Sequence, residues 1–179
     1  GASYPSLVTE GAQLVFTVAG IDALTATAGI TTDATSTATT IDFGSLTFNQ
    51  SNEVAQRITV DTNATAGYQV FFYSSQKMQN TYGTEITPIT ATNAVPAGWA
   101  TSCTGAVESC FGYHTTDASL SGGSTRFAPL DSYAALTTSP EQIMFSTIPI
   151  IDVHDVVYRI QVTEQQPAGD YQTEITYLV

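Results

Sequence analysis

Apolar and polar residues alternate along much of this chain, and two stretches about a hundred residues apart share nearly the same wording. Arg57-Ile58-x-Val60 leads to Ala66-Gly67-Tyr68-Gln69, and Arg159-Ile160-x-Val162 leads to Ala168-Gly169-x-Tyr171-Gln172, with the same Arg-to-Gly spacing in both. Side chains on an extended strand point to opposite faces with period two, so alternation broken by a Gly-bearing connection predicts paired antiparallel strands. Two hairpins are expected, over about 55–73 and 156–179.

Ahead of them, in the segment Leu7 to Ile21, Ala12, Leu14, Phe16 and Val18 share one face and Gln13, Val15, Thr17 and Ala19 the other. That pattern predicts an extended N-terminal strand with one strongly apolar side. Residues 25–40 are dominated by Thr and Ala without strict alternation, which reads as a weak strand or an extended linker. Thr40 to Phe48, containing Ile41-Asp42-Phe43-Gly44-Ser45-Leu46, comes next and leads into the first hairpin. The middle of the chain, from Ser74 to about Pro140, is rich in Gly, Ser, Thr and Pro, with short strands predicted at 85–90, 99–103 and 110–114. Ile143 to Ile151 is apolar enough to be buried, but Pro149 places it at an edge or bend. The expected organisation is an N-terminal strand over 1–22, a Thr/Ala-rich connector over 23–40, and a single β-sandwich domain over 41–179.

Composition strengthens the strand reading. Threonine supplies 30 of the 179 residues; with Val, Ile, Tyr and Phe it belongs to the branched and aromatic set that fits a pleated, half-buried surface. The class is all-β, and turn signals at this frequency favour an antiparallel Ig-like or jelly-roll β-sandwich over a propeller or solenoid. A length of 179 residues suits one domain. No apolar run is long enough to span a bilayer as a helix. No charged leader with an apolar core opens the chain, so it is expected to be a mature form whose signal peptide has been removed.

Charge excludes other classes. Only Arg57, Lys77, Arg126 and Arg159 are positive and the formal net charge is -12, which argues against nucleic acid and anionic membranes as partners. Cys103 and Cys110 are the only cysteines. A metal site would want more sulfur or a nearby His pair, so a structural disulfide in an oxidising compartment is expected.

Catalytic signals are sparse. His114 and His154 lie in no nucleophile or zinc pattern. Asp152-x-His154-Asp155 offers two carboxylates and an imidazole, but neighbouring strand residues face opposite ways, and a solvated turn leading into the Val156 strand is the favoured reading. Tyr82, Trp99, Tyr113 and Tyr133 are placed to stack on a sugar or, in the favoured reading, to pack between sheets. Paired carboxylates for glycoside hydrolysis are fixed by no spacing here. Asn49-Gln50-Ser51 and Asn63-Ala64-Thr65 match the N-glycosylation pattern. No catalytic residue, cofactor or metal is assigned, and an enzyme is not expected. Arg57 and Arg159 are expected either to anchor nearby carboxylates at equivalent places in the sandwich or, equally, to have solvated partners.

Ile41-x-Phe43-Gly44-x-Leu46, Ile58-x-Val60, Gly67-Tyr68-x-Val70 and Pro167-Ala168-Gly169-x-Tyr171-x-Thr173-x-Ile175-x-Tyr177 together resemble the spore coat protein U domain and the archaic chaperone-usher pilins that share it. The resemblance covers most of 40–73 and 155–179. It implies an Ig-like sandwich completed by a strand from the next subunit. An incomplete sandwich exposes unpaired backbone that an extended segment can satisfy, and the apolar face of Ala12, Leu14, Phe16 and Val18 is the candidate donor. The expected function is a structural subunit of an extracellular filament or pilus at the cell surface, polymerised head to tail with copies of itself. The alternative is a monomeric adhesin or carbohydrate-binding module, with a surface glycan or receptor as partner.

Overall fold

The computed structural model describes residues 11–103, 109–121 and 125–179. The chain is an all-β sandwich. A five-stranded sheet runs in the order β1 (Leu14–Gly20), β4 (Ser51–Thr62), β9 (Ile150–Gln161), β7 (Cys110–Thr115), β6 (Thr87–Pro88). A three-stranded sheet, β10 (Ile175–Leu178), β5 (Tyr68–Ser74), β8 (Glu141–Ser146), packs against it. A small hairpin, β2 (Ala26–Thr27) with β3 (Ile30–Thr31), lies outside the larger sheet. Pairing is antiparallel except between β6 and the start of β7.

Strand existence follows the period-two pattern, but the pairing differs from the sequence expectation. The two repeated segments are not hairpins. Each crosses from one sheet to the other, β4 to β5 and β9 to β10, and the copies pair with each other: β4 with β9 over twelve residues, and β5 with β10. Alternation alone cannot tell a hairpin from such an arch, because both present apolar residues on every second position. Gly67 makes the first crossing. Its φ is +71°, and a Cβ there would sit 2.0 Å from the Ser146 carbonyl oxygen, so only glycine fits.

The inner face of the large sheet carries Ile58 and Val60 from β4, Val156, Tyr158 and Ile160 from β9, and Phe111 and Tyr113 from β7. They meet Tyr68, Val70 and Phe72 of β5. Phe72 contacts Tyr113 edge-on at 4.5 Å and stacks on Tyr177 at 6.1 Å, so one ring joins three strands across the sandwich. On the outer face, Ala55 and Val157 are buried beneath Ile21, Ala28 and Ile30.

The Thr/Ala-rich segment therefore includes a packed flap rather than only a linker. Threonine hydroxyls replace apolar bulk as its fastening. Thr32 is fully buried and bonds to the Asp22 carbonyl at 2.7 Å, while Thr27 donates to Asp155 at 2.8 Å. Buried Ser36 donates to the carbonyl of Ala55 and accepts from the Ile21 amide.

Two further expectations are revised. Residues 99–103 were expected as a strand, but Trp99–Ser102 forms a single helical turn, closed by Cys103 N–H donating to the Trp99 carbonyl at 2.7 Å. The turn carries Cys103 to Cys110, and the two form the expected disulfide, Cα atoms 5.7 Å apart. Asp152 to Asp155 lies inside β9, not in a turn. Residues 40–48, which lead into β4, adopt no regular structure. Pro149 does fall at the bend between β8 and β9.

Because Phe72 is fully buried where the sheets meet, Phe72→Ala is expected to cost about 3–5 kcal/mol by lost transfer energy and cavity formation. Urea unfolding should show a lower midpoint with an unchanged m-value; a loss below about 1 kcal/mol would contradict this account of the core.

Candidate functional site

A groove of about 990 Å³ runs along one flank of the sandwich. One wall is the irregular segment 38–48, the other is the run 166–175 leading into β10. Its floor is the inter-sheet core itself, with Met78, Ile86, Phe111, Tyr158, Ile160 and Val162. The larger sheet's outer strand, β1, reaches only to Gln56 on β4, and β10 is only four residues long. Beyond those ends neither sheet has a strand to cover the core.

Among the described residues no strand pairs with the outer edge of β10. Ser75 N–H donates to the Glu174 carbonyl at 2.8 Å, and Thr176 pairs opposite Tyr73. Antiparallel pairing alternates, so the N–H and C=O of Ile175 and Tyr177 point away from β5 toward the groove. Side chains close the opposite edge of the same sheet. On β8, the Ile143 carbonyl accepts from Thr115 Oγ1 at 2.8 Å, the Gln142 carbonyl accepts from Asn93 Nδ2 at 2.9 Å, and Phe145 N–H donates to Asp117 Oδ2 at 2.8 Å. One edge of the small sheet is obstructed and the other, among the described residues, is open to an extended chain.

The candidate donor residues lie beside this flank. Leu14, Phe16 and Val18 face inward on β1, which pairs with β4 of the same chain from Leu14 opposite Thr62 to Gly20 opposite Gln56. Phe16 contacts Tyr177 at 5.8 Å, whereas Ala12 is exposed and Leu14 is 45% exposed. Among the longer strands β1 buries least.

Elsewhere the acid–base residues make structure. Of the two alternatives for Arg57 and Arg159, anchoring of carboxylates at equivalent places is the one found, and it is reciprocal. Asp155, four residues before Arg159, takes a bidentate pair from Arg57 at 2.8 and 3.0 Å, and Glu53, four residues before Arg57, lies 2.9 Å from Arg159 Nε. Arg159 also sits over Trp99 at 4.9 Å and Tyr133 at 5.3 Å. Trp99, Tyr113 and Tyr133 are thus buried packing residues, and Tyr82, 92% exposed, is the one of the four aromatics that solvent reaches freely.

Asp152 and His154 share the inner face, 3.1 Å apart, with Tyr68 donating to Asp152 at 2.7 Å; Asp155 points the other way to Arg57. Among the described residues no three His, Cys, Asp or Glu side chains are grouped to hold a metal ion. No helix among them is long and apolar enough to cross a membrane. Both glycosylation-pattern asparagines, Asn49 and Asn63, are exposed.

Sequence reasoning offered a candidate donor strand but did not locate the groove. The available signal was Ile41-x-Phe43-x-x-Leu46, an apolar pattern with no strand partner, together with a closing strand shorter than its neighbour. No protein-family model matches the chain, and no curated protein does.

Burial, reinforced by the neighbouring Asp33, raises the Glu53 carboxyl to about 7 against the pull of Arg159. In the unfolded chain the same group titrates near 4.5, so folding takes up a proton between these values. The stability this contributes is full below about pH 4.5 and is lost as pH rises through about 7. Melting temperatures across that window should therefore fall more steeply with rising pH in the wild type than in Glu53→Gln; parallel profiles would show that Glu53 does not titrate there.

Proposed function

We propose that the protein is a structural subunit of an extracellular filament, polymerised head to tail when the N-terminal strand of one copy enters the groove of the next. The observation that carries this reading is the β10 edge, unpaired among the described residues, lying directly beside a stretch of core that no strand covers. Backbone groups of Ile175 and Tyr177 give the incoming chain its hydrogen bonds, and the apolar floor gives its alternate side chains somewhere to bury.

A second copy is the fitting occupant. Residues 11–20 carry no charge, and the groove is lined by Asp42, Asp170 and Glu174 with no cation, so an acidic strand would be repelled and a neutral one accepted. Their inward residues are Leu14, Phe16 and Val18. Fully burying three such side chains contributes about 5–8 kcal/mol at roughly 1.5–3 each, less what they already bury at home and less the cost of association. Because β1 is the least buried long strand, it is the cheapest to release. Donor and groove are different surfaces, so the contact does not close on itself and repetition gives an open filament.

The disulfide and the scarcity of positive charge suit a secreted, surface-exposed protein, and the β-sandwich with an incomplete flank suits the pilin resemblance seen in the residues. A monomeric sugar-binding module is the weaker reading, since three of its four candidate stacking residues are buried.

Locking β1 at home tests the proposal. Val15 and Asp61 are register partners on the outer face, so Val15→Cys with Asp61→Cys places two thiols within disulfide reach at about 5.5 Å between Cα atoms. Electron microscopy should show fibres from the wild type and none from the oxidised double variant. Fibres from the locked protein would exclude β1 as the donor, and a wild type that forms none would remove the filament reading.

A further inference from the structure

The wall formed by residues 38–48 is fastened unlike any other part of the flank. Both of its ends are tied down. Gln56 Nε2 donates to the Thr37 carbonyl at 2.7 Å, and Asn49 N–H donates to the Val162 carbonyl at 2.7 Å. Between those points, the hydrogen bonds formed among the described residues are local: Thr39 N–H to Thr37 Oγ1, Thr37 N–H to the Thr40 carbonyl, Gly44 N–H to Asp42 Oδ1, and Gln50 N–H to the Thr47 carbonyl. None reaches a sheet.

What holds the segment down is apolar contact alone. Ile41, Phe43 and Leu46 are half-buried against the inter-sheet core, Phe43 meeting Phe111 edge-on at 6.0 Å. Ile41-x-Phe43 has the spacing of an extended strand with two residues facing in, and Gly44, with φ at +64°, turns the chain just beyond it. These side chains rest on the floor that a guest strand would need.

We infer that residues 37–48 are a self-capping strap: in the free subunit they shield the groove floor, and the incoming strand displaces them. This rests on the filament reading above and adds its regulation. The exchange is favourable because the strap has no backbone bonds to the sheets to lose, whereas a guest gains those of the β10 edge. Anchors at Thr37 and Asn49 let the strap swing out without unpairing β4, whose ladder begins at Ser51. The free subunit is thereby protected from nonspecific association through its own core.

The test uses the full chain and a labelled synthetic peptide of residues 11–22. Hydrogen exchange at 171–178 reports whether the peptide seats on the β10 edge, and chymotryptic cleavage after Phe43 reports where the strap goes. Seating should slow exchange at 171–178 at least tenfold and speed cleavage after Phe43 at least tenfold in the wild type. Phe43→Ala, followed through the peptide's fluorescence anisotropy, should take up peptide at least tenfold faster. Protection of 171–178 with unchanged or slower cleavage would overturn the strap and show that the segment clamps the guest, leaving the filament reading intact. Slower uptake by Phe43→Ala in a folded protein would overturn it likewise. No protection and no uptake in either protein would remove the donor reading itself, and the strap with it.

Discussion

The twelve-residue pairing of β4 with β9 is the constraint on which the rest of this sandwich depends. Its register is held by two ion pairs of the same kind, Arg57 with Asp155 and Arg159 with Glu53, each arginine reaching the acid that lies four residues before its counterpart. A slip of one residue would turn every side chain to the wrong face, moving Ile58, Tyr158 and Ile160 from the core to the outside. The half-buried pairs therefore matter as markers of register more than as stabilisers, because desolvation offsets much of their Coulomb attraction. Burial raises Glu53 despite Arg159 for that reason.

From that ladder the other contacts follow. Its inner face supplies the floor on which β5 and β10 pack. Its outer face supplies Asp155 to Thr27 of the small flap and Arg159 to Trp99 and Tyr133, so the disulfide-bearing turn is seated against the same strand. Arg57 and Arg159 thus contribute to folding rather than to chemistry, and the molecule has spent half of its positive charges on one pair of strands.

The two edges of the small sheet explain why association through it would be directional. Thr115, Asp117 and Asn93 take up three backbone groups of β8, which obstructs pairing there. Among the described residues no such bonds obstruct the outer edge of β10, which lies next to a core that neither sheet covers. One open edge favours a chain of subunits, whereas two would favour a growing sheet.

Much of this was legible in the residues. Period-two alternation and composition determined that the chain is all-β and which positions share a face on β1; the cysteine count pointed to the Cys103–Cys110 pair and Pro149 to a bend; these are local or stereochemical properties that each segment carries with it. The repeat marked Arg57 and Arg159 as equivalent. It did not say that the two copies would pair with each other, since hairpin and arch have the same alternation. Nor did it show that Thr32 and Ser36 fasten a flap, that Trp99 begins a helical turn, or that Asp152 and His154 face Tyr68 while Asp155 faces Arg57. Those outcomes depend on which surfaces meet across long stretches of chain. The groove is the extreme case: it consists of the strand positions that β1 and β10 leave unfilled, and a vacancy between elements is announced only indirectly, here by the unpartnered apolar pattern Ile41-x-Phe43-x-x-Leu46.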